Sequence, residues 1–281
     1  AYRAATSLYG SDLPEVKLVS IGDVNAQFGE AAAKRFGFER HDADWRTIAD
    51  DPNIHAVSVV VANHLHREIV EGLLAAGKHV LCEKPLSDTL DDARAMVKAA
   101  AEAKSIARIG LTFLRNPAIA AIQQLIASGE LGKVLHFSGK YWADYSADPM
   151  NPIAWRYKGG MGTGALADVG SHISYVAEFI TGKPFSAVSG ARFVTAITER
   201  PVATGAVQGH GAAPVSDKFD TVENDDYAGF TAQFGDIAGS IEVSRVASGH
   251  PTSLGFEVYC EKGAARFTQA RNGEFELMVN E

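Results

Sequence analysis

AVSVVVANHLHREIVEGLLAAGKHVLCEKP, residues 56–85, decides the reading of the fold. Ala56 to Ala62 is an almost unbroken apolar run, as expected of a strand buried on both faces. His66 to Ala76 carries its apolar residues at helical spacing and is closed by Gly77, a usual residue just past a helix. His79 to Cys82 is a second short apolar run. Strand, helix and strand joined by short links predict two parallel strands with a crossover helix. The same alternation extends both ways. Upstream lie a strand at Val16 to Gly22, a helix at Asn25 to Phe36 ended by Gly37, and a short helix at Trp45 to Asp50. Downstream lie a helix at Leu90 to Ala103 and a strand at Ala107 to Leu111. The series predicts a doubly wound parallel sheet of the dinucleotide-binding type.

The pattern changes after about Asn116. One helix is expected at Ile119 to Ser128 and another at Ala165 to Ile180. Between and beyond them, Val134 to Trp142, Val188 to Thr198, Tyr227 to Phe234, Ala238 to Ala247 and Ser253 to Cys260 alternate apolar and polar residues. Such alternation predicts a large, mainly antiparallel open sheet with one packed face. The expected organisation is an α/β domain over residues 1–115 and an α+β domain over residues 116–281. Ala203 to Ser216, rich in Gly and Ala, reads as a loop within the second domain.

Composition narrows the class. A net charge of -8 over 281 residues, with no basic run, argues against nucleic acid, which demands a concentrated positive surface. No apolar stretch approaches the ~20 residues that cross a bilayer, so no membrane association is expected. Cys82 and Cys260 both sit in strand-like runs and read as buried hydrophobes of a reducing compartment, hence the cytoplasm.

Four groups of residues carry chemical meaning. Asp23 closes the first strand, where an acidic residue can bind the ribose hydroxyls of a dinucleotide and repel an extra phosphate, favouring NAD over NADP; it reads equally as a helix-capping or turn residue. Glu83-Lys84-Pro85 follows the strand ending at Cys82, at the carboxyl end where ligands bind. Lys84 could stabilise charge on a substrate oxygen, or the motif could be a plain surface turn. Asp168 and His172 are four apart on a predicted helix, the spacing of a carboxylate beside a general base and equally of a local salt bridge. His64 and His66 flank a strand-to-helix turn within reach of a cofactor; H-x-H lacks a third ligand, so no metal is expected. Gly160, Gly162 and Gly164 do not form a phosphate loop, because no apolar strand precedes them.

Together these motifs resemble the glucose-fructose oxidoreductase/inositol dehydrogenase (Gfo/Idh/MocA) family. The resemblance rests on Val61-Ala-Asn63-His-Leu-His66, Gly77 to Pro85, Gly164-Ala-Leu-Ala-Asp168-Val-Gly-Ser-His172, and the strand opening at Asp226-Tyr-Ala-Gly-Phe. Tyr141 to Pro149 followed by Trp155-Arg156 is similar to the subgroup that includes the levoglucosan dehydrogenases. The resemblance implies a Rossmann domain and an open-sheet domain that makes homo-oligomer contacts in a dimer or tetramer. It implies hydride transfer between NAD and a secondary alcohol of a sugar, sugar derivative or inositol. In that scheme Lys84, Asp168 and His172 are catalytic. Asn63, His66, Glu83, Pro85 and Arg156 join Asp23 and Lys84 beside the cofactor, and the Lys84–Pro85 peptide is cis. Tyr141, Asp144 and Trp155, with Lys84, Asp168 and His172, are the substrate-side candidates. The family's Gly-rich phosphate loop and last strand and helix fall outside this sequence, which reads as truncated at both ends. A dihydrodiol or imine reductase on the same fold, or a cofactor-sensing regulator without chemistry, are the alternatives.

Overall fold

The computed structural model describes residues 2–5, 10, 13–160, 163–207, 209 and 213–280. Backbone contacts divide the chain into two compact units, Ala1–Gly110 and Leu111–Glu281.

The first unit is built of parallel strands and crossover helices. Strands β1 (Ser20–Gly22) and β2 (Arg40–Asp42) pair in parallel. So do β3 (Ala56–Val59), β4 (His79–Cys82) and β5 (Ala107–Ile109), in the order β3-β4-β5. Helix α1 (Ala26–Phe36) starts where the Asn25 side chain accepts from the Phe28 amide and stops at Gly37, whose φ of 76° is left-handed. After α2 (Trp45–Asp50) comes α3 (His66–Ala75), whose buried residues His66, Ile69, Val70, Leu73 and Leu74 recur at three and four. That stripe packs with Val59, Val80, Cys82 and Met96 into the core of this unit. Leu73 is fully buried, a contribution of roughly 1.5–3 kcal/mol for a side chain of its type. Helix α4 (Leu90–Glu102) is capped by Thr89 and carries Asp91 and Asp92 in its first turn, where negative charge favours the helix dipole. Strand β2, which the sequence pattern does not reveal, is the main addition. At the start of the chain Tyr2–Ala4 forms a 3₁₀ turn, and residues 6–9 lie outside the described ones.

The second unit is a seven-stranded sheet in the order β14-β13-β12-β6-β11-β10-β7. Its strands are β6 (Val134–Trp142), β7 (Ala187–Val194), β10 (Tyr227–Phe234), β11 (Ile237–Ser244), β12 (Ser253–Cys260), β13 (Gly263–Thr268) and β14 (Glu276–Val279). All pairings are antiparallel except β6 with β11. A separate ribbon, β8 (Glu199–Ala203) with β9 (Val215–Thr221), flanks the segment expected as a loop and takes only its ends, Ala203, Val215 and Ser216; residues 208 and 210–212 there are not described. Helices α5 (Pro117–Ala127) and α6 (Ser171–Thr181) supply Ile119, Ile122, Ile173, Val176 and Ile180 to a core completed by Phe137, Phe234, Phe256 and Phe267 of the sheet. The other face of the sheet is polar and open: Tyr227 donates to Glu242, Ser189 meets Thr231, and the His136 ring stacks on Tyr259. No helix among the described residues is long and apolar enough to cross a membrane.

Candidate active site

In the first unit the candidate residues gather at the carboxyl ends of the parallel strands. Asp23 follows β1. Its Oδ1 accepts from the Asn25 amide at 2.8 Å, the local turn expected of a capping aspartate. Its Oδ2 makes no hydrogen bond or ion pair among the described residues. One oxygen therefore shapes the turn while the other remains for a hydroxyl pair. The backbone of Asp23 is held by the His41 ring, whose Nε2 lies 2.7 Å from the Asp23 carbonyl. That ring sits on Gly29 so closely that a Cβ there would come within 1.9 Å of His41 Cδ2. A glycine in the first turn of α1 is thus what lets His41 reach Asp23.

Past β4, the Glu83 carboxylate accepts from the Lys84 amide at 3.1 Å and lies over Gly110, where an added Cβ would stand 3.2 Å from it. The Lys84–Pro85 peptide is cis. Lys84 is half-buried, and Asn63 is half-buried in the 3₁₀ turn Asn63–Leu65. His66 differs from expectation. It is fully buried, with Nδ1 3.1 Å from the Pro85 carbonyl and 3.2 Å from that of Leu86, and Nε2 3.2 Å from the Val61 carbonyl. With no exposed atom to offer a cofactor, it instead ties the strand-to-helix turn to the Lys84 loop. The reason is that α3 begins at His66 itself and turns its first residue into the core.

Cys82, next to this loop, is buried, and burial followed by the Glu83 charge pushes its thiol up to about 11. Burial also raises the Cys260 thiol. Because the thiolate is the reactive form, a disulfide reagent at pH 8 should leave both cysteines of the native protein unmodified and titrate both in urea. Rapid native labelling would contradict this burial.

In the second unit, Asp168 lies in a π-helical turn, Leu166–Gly170, that runs directly into α6. π turns are rare and occur mostly at functional sites. Asp168 Oδ2 accepts a 2.6 Å hydrogen bond from the Tyr145 hydroxyl. Burial, and then the Asp168 charge, hold that phenol well above its usual range, so Tyr145 remains a donor. His172 Nδ1 pairs with the Tyr175 hydroxyl at 2.9 Å, and the Phe113 amide donates to the same hydroxyl at 3.3 Å. The imidazole also stacks on Tyr141 (centroids 5.6 Å apart, 20° between planes) and meets the edge of Phe113 at 5.2 Å. The neighbour of Nδ1 is thus a phenol one turn further along the helix. Tyr141, expected on the substrate side, is buried beneath the His172 ring.

Trp155 is exposed, and the Arg156 guanidinium covers its ring at 4.4 Å. The Arg156 carbonyl accepts from Asn224 Nδ2 at 2.9 Å and from Arg245 at 3.0 Å. Asp144 is half-buried, and its carbonyl accepts from the Ala147 amide. No group of three or more potential metal ligands occurs among the described residues.

Tyr145, Tyr175, Phe113 and His41 are functional neighbours that the sequence reading missed. Tyr175 could have been found, since it stands three after His172 on a helix. Phe113 and His41 reach their partners only through tertiary packing, and no spacing announces them.

The comparisons agree on one family. Residues 2–111 match the model of the oxidoreductase family with an NAD-binding Rossmann fold, and residues 119–266 match the Gfo/Idh/MocA C-terminal domain. Levoglucosan dehydrogenase of Pseudarthrobacter phenanthrenivorans is 36% identical over 260 residues, covering 92% of this chain and 66% of that protein. The NAD(+)-dependent scyllo-inositol 2-dehydrogenase of Bacillus subtilis is 28% identical, over 64% of this chain and 51% of its own length. The chain thus spans less than two thirds of these relatives. Among solved structures, apo levoglucosan dehydrogenase superposes with a TM-score of 0.91 at 34% identity, over 99% of this chain and 71% of that one. The same enzyme in complex with NADH and levoglucosan gives 0.88 at 33% identity, over 99% of this chain and 71% of that one. With both halves matched in order, the chain belongs to the Gfo/Idh/MocA family of oxidoreductases.

Proposed function

We propose that the protein oxidises a secondary alcohol of a ring sugar, sugar derivative or inositol, reversibly and with NAD in preference to NADP. The observation that carries this reading is the fixing of His172. A ring anchored at Nδ1 by a tyrosine and stacked on a second one is prepared for proton exchange at Nε2. A regulator that performs no chemistry has no use for such an arrangement. The named substrates of the relatives above, levoglucosan and scyllo-inositol, supply the substrate class.

Within this reading the nicotinamide, when bound, supplies the hydride acceptor. The residues at the carboxyl ends of β1, β3 and β4 fit such a group: Asp23 presents a carboxylate oxygen suited to a ribose hydroxyl pair, with Asn63, Glu83, Lys84 and Pro85 along the same edge. His172 accepts the hydroxyl proton. Lys84 donates to the alcohol oxygen and stabilises the negative charge that develops there. Asp168, bound to the Tyr145 hydroxyl, assists the base from the turn that precedes it. Asp144 and Trp155 form the substrate side, Tyr141 supports it from beneath the His172 ring, and Arg156 borders the nicotinamide. The open polar face of the seven-stranded sheet is the surface for a homo-oligomer, a dimer or tetramer, and the protein works in the cytoplasm on small molecules.

Reduced-nicotinamide formation across a panel of anhydrosugars, aldoses and inositols, with NAD and with NADP, tests the reading. Turnover of at least one ring polyol with NAD is expected; reduction of cyclic imines or oxidation of dihydrodiols alone would overturn it. Asp23→Ala should weaken NADH binding about tenfold, the order of one charge-assisted hydrogen bond, and narrow the gap to NADPH. Fluorescence titration of both nucleotides checks this, and an unchanged preference would remove Asp23 from the nucleotide site.

A further inference from the structure

Three consecutive backbone amides at the entry of the helix that carries Asp168 and His172 donate to a single residue from a distant part of the chain. The Gly164 amide reaches Asp225 Oδ1 at 3.3 Å, the Ala165 amide reaches the Asp225 carbonyl at 2.8 Å, and the Leu166 amide reaches Asp225 Oδ2 at 2.9 Å. Asp225 is fully buried. The approach is so close that a Cβ on Gly164 would stand 2.1 Å from the Asp225 carbonyl oxygen, so a glycine is required there. The first amides of a helix have no partner within it, and its amino end carries partial positive charge. A buried carboxylate at that end meets both needs at once.

The neighbours of Asp225 have parallel tasks. Asn224 Nδ2 lies 2.9 Å from the Arg156 carbonyl and 3.0 Å from that of Lys158, which fixes the backbone from Arg156 to Lys158. Asp226 binds Arg245 at 2.8 Å. The strand β10 that follows is thus the rigid reference, and Asp225 is the point through which it holds the π-helical turn.

We propose that Asp225 is a positioning residue of the active site, fixing the rotation and depth of the turn from Gly164 to His172 and so the aim of the His172 ring. The proposal rests on the reading of His172 as the proton acceptor. Asp225→Asn keeps the shape but turns one acceptor into a donor, which must face the amide of either Gly164 or Leu166. Hydrogen exchange of the amides from Gly164 to Asp168 should then quicken by about tenfold or more, since each bond to a charged acceptor is worth that order. Amides of β10 and β11 should keep their protection. The His172 ring resonance should shift while those of the other histidines stay in place. Turnover should fall with the KM for NAD unaltered.

Unchanged exchange at Gly164 to Asp168, or a loss of protection spread evenly over the unit, would overturn the proposal. If Asp225→Asn does not fold, Asp225→Ser serves the same measurements with a smaller acceptor, and loss of the fold in both variants would also overturn it. If the unaltered protein oxidises no polyol, the functional reading fails separately, and local exchange with the His172 resonance still decides the role of Asp225.

Discussion

His172→Ala should lower polyol oxidation by about 10²–10⁴-fold, the usual contribution of a general base, with NADH affinity unaltered. The expectation follows from where the ring sits: on α6, stacked on Tyr141, with Nδ1 held by Tyr175. Those contacts orient the ring for proton exchange, so the loss should fall on kcat. Lys84→Ala should produce a loss of similar order, and Lys84→Arg should not restore it, because a planar guanidinium cannot present a compact charge at the same oxygen. Steady-state kinetics with the best polyol, alongside NADH fluorescence titration, measures both. Activity of either alanine variant within about threefold of the parent would remove that residue from the proton and charge transfer.

The second large effect concerns stability. Arg245 and Asp226 form an ion pair at 2.8 Å with side chains 1% and 0% exposed. Asp226 Oδ2 also accepts the Ala196 and Ile197 amides, and Arg245 reaches Asn224 Oδ1 at 2.7 Å. Both Arg245 and the buried Arg200 lie over the Tyr157 ring, at 4.8 and 4.3 Å. Removing one member leaves a buried charge with no counterpart, so Asp226→Ala should cost about 3–5 kcal/mol. Replacing both, as Asp226→Leu with Arg245→Met, should recover much of that, because the pair itself repays little more than its own desolvation. Urea unfolding of the single and double variants measures the difference. A single-variant loss below about 1 kcal/mol, the size of an exposed pair, would contradict the picture of a dry core.

The parallel half was legible because buried parallel strands and their crossover helices announce themselves by different periods. His79–Cys82 and Trp45–Asp50 fall where the pattern puts them, and the alternation of Val134–Trp142 and Tyr227–Phe234 marked the sheet of the second unit. Two of the strands that escaped are short and carry no alternating apolar pattern. Arg40-His-Asp42 has no apolar face, and β14 has all four residues exposed. At the site, residue identity was legible and partnership was not. His66 looked like a cofactor contact because it stands at a strand-to-helix turn, yet α3 buries it. The spacing of Asp168 and His172 suggested that one orients the other, and it gave no sign that Tyr175 meets Nδ1 or that Tyr145 donates to the carboxylate. Those choices depend on the π turn and on packing against Tyr141, which lies on a strand that no local pattern ties to α6. The Asn224-Asp225-Asp226 run was invisible for a related reason: three polar residues before a strand read as a turn until their burial is known.

The most direct test of the central claim is a label-transfer experiment. The protein is incubated with NAD and a ring polyol deuterated at the carbinol carbon, and the reduced nucleotide is analysed by mass spectrometry. Hydride transfer predicts deuterium in the reduced nicotinamide, and its loss in the His172→Ala variant. Tight NADH binding with no deuterium transferred from any polyol in the panel would contradict it, and would favour a protein that senses the nucleotide without using it.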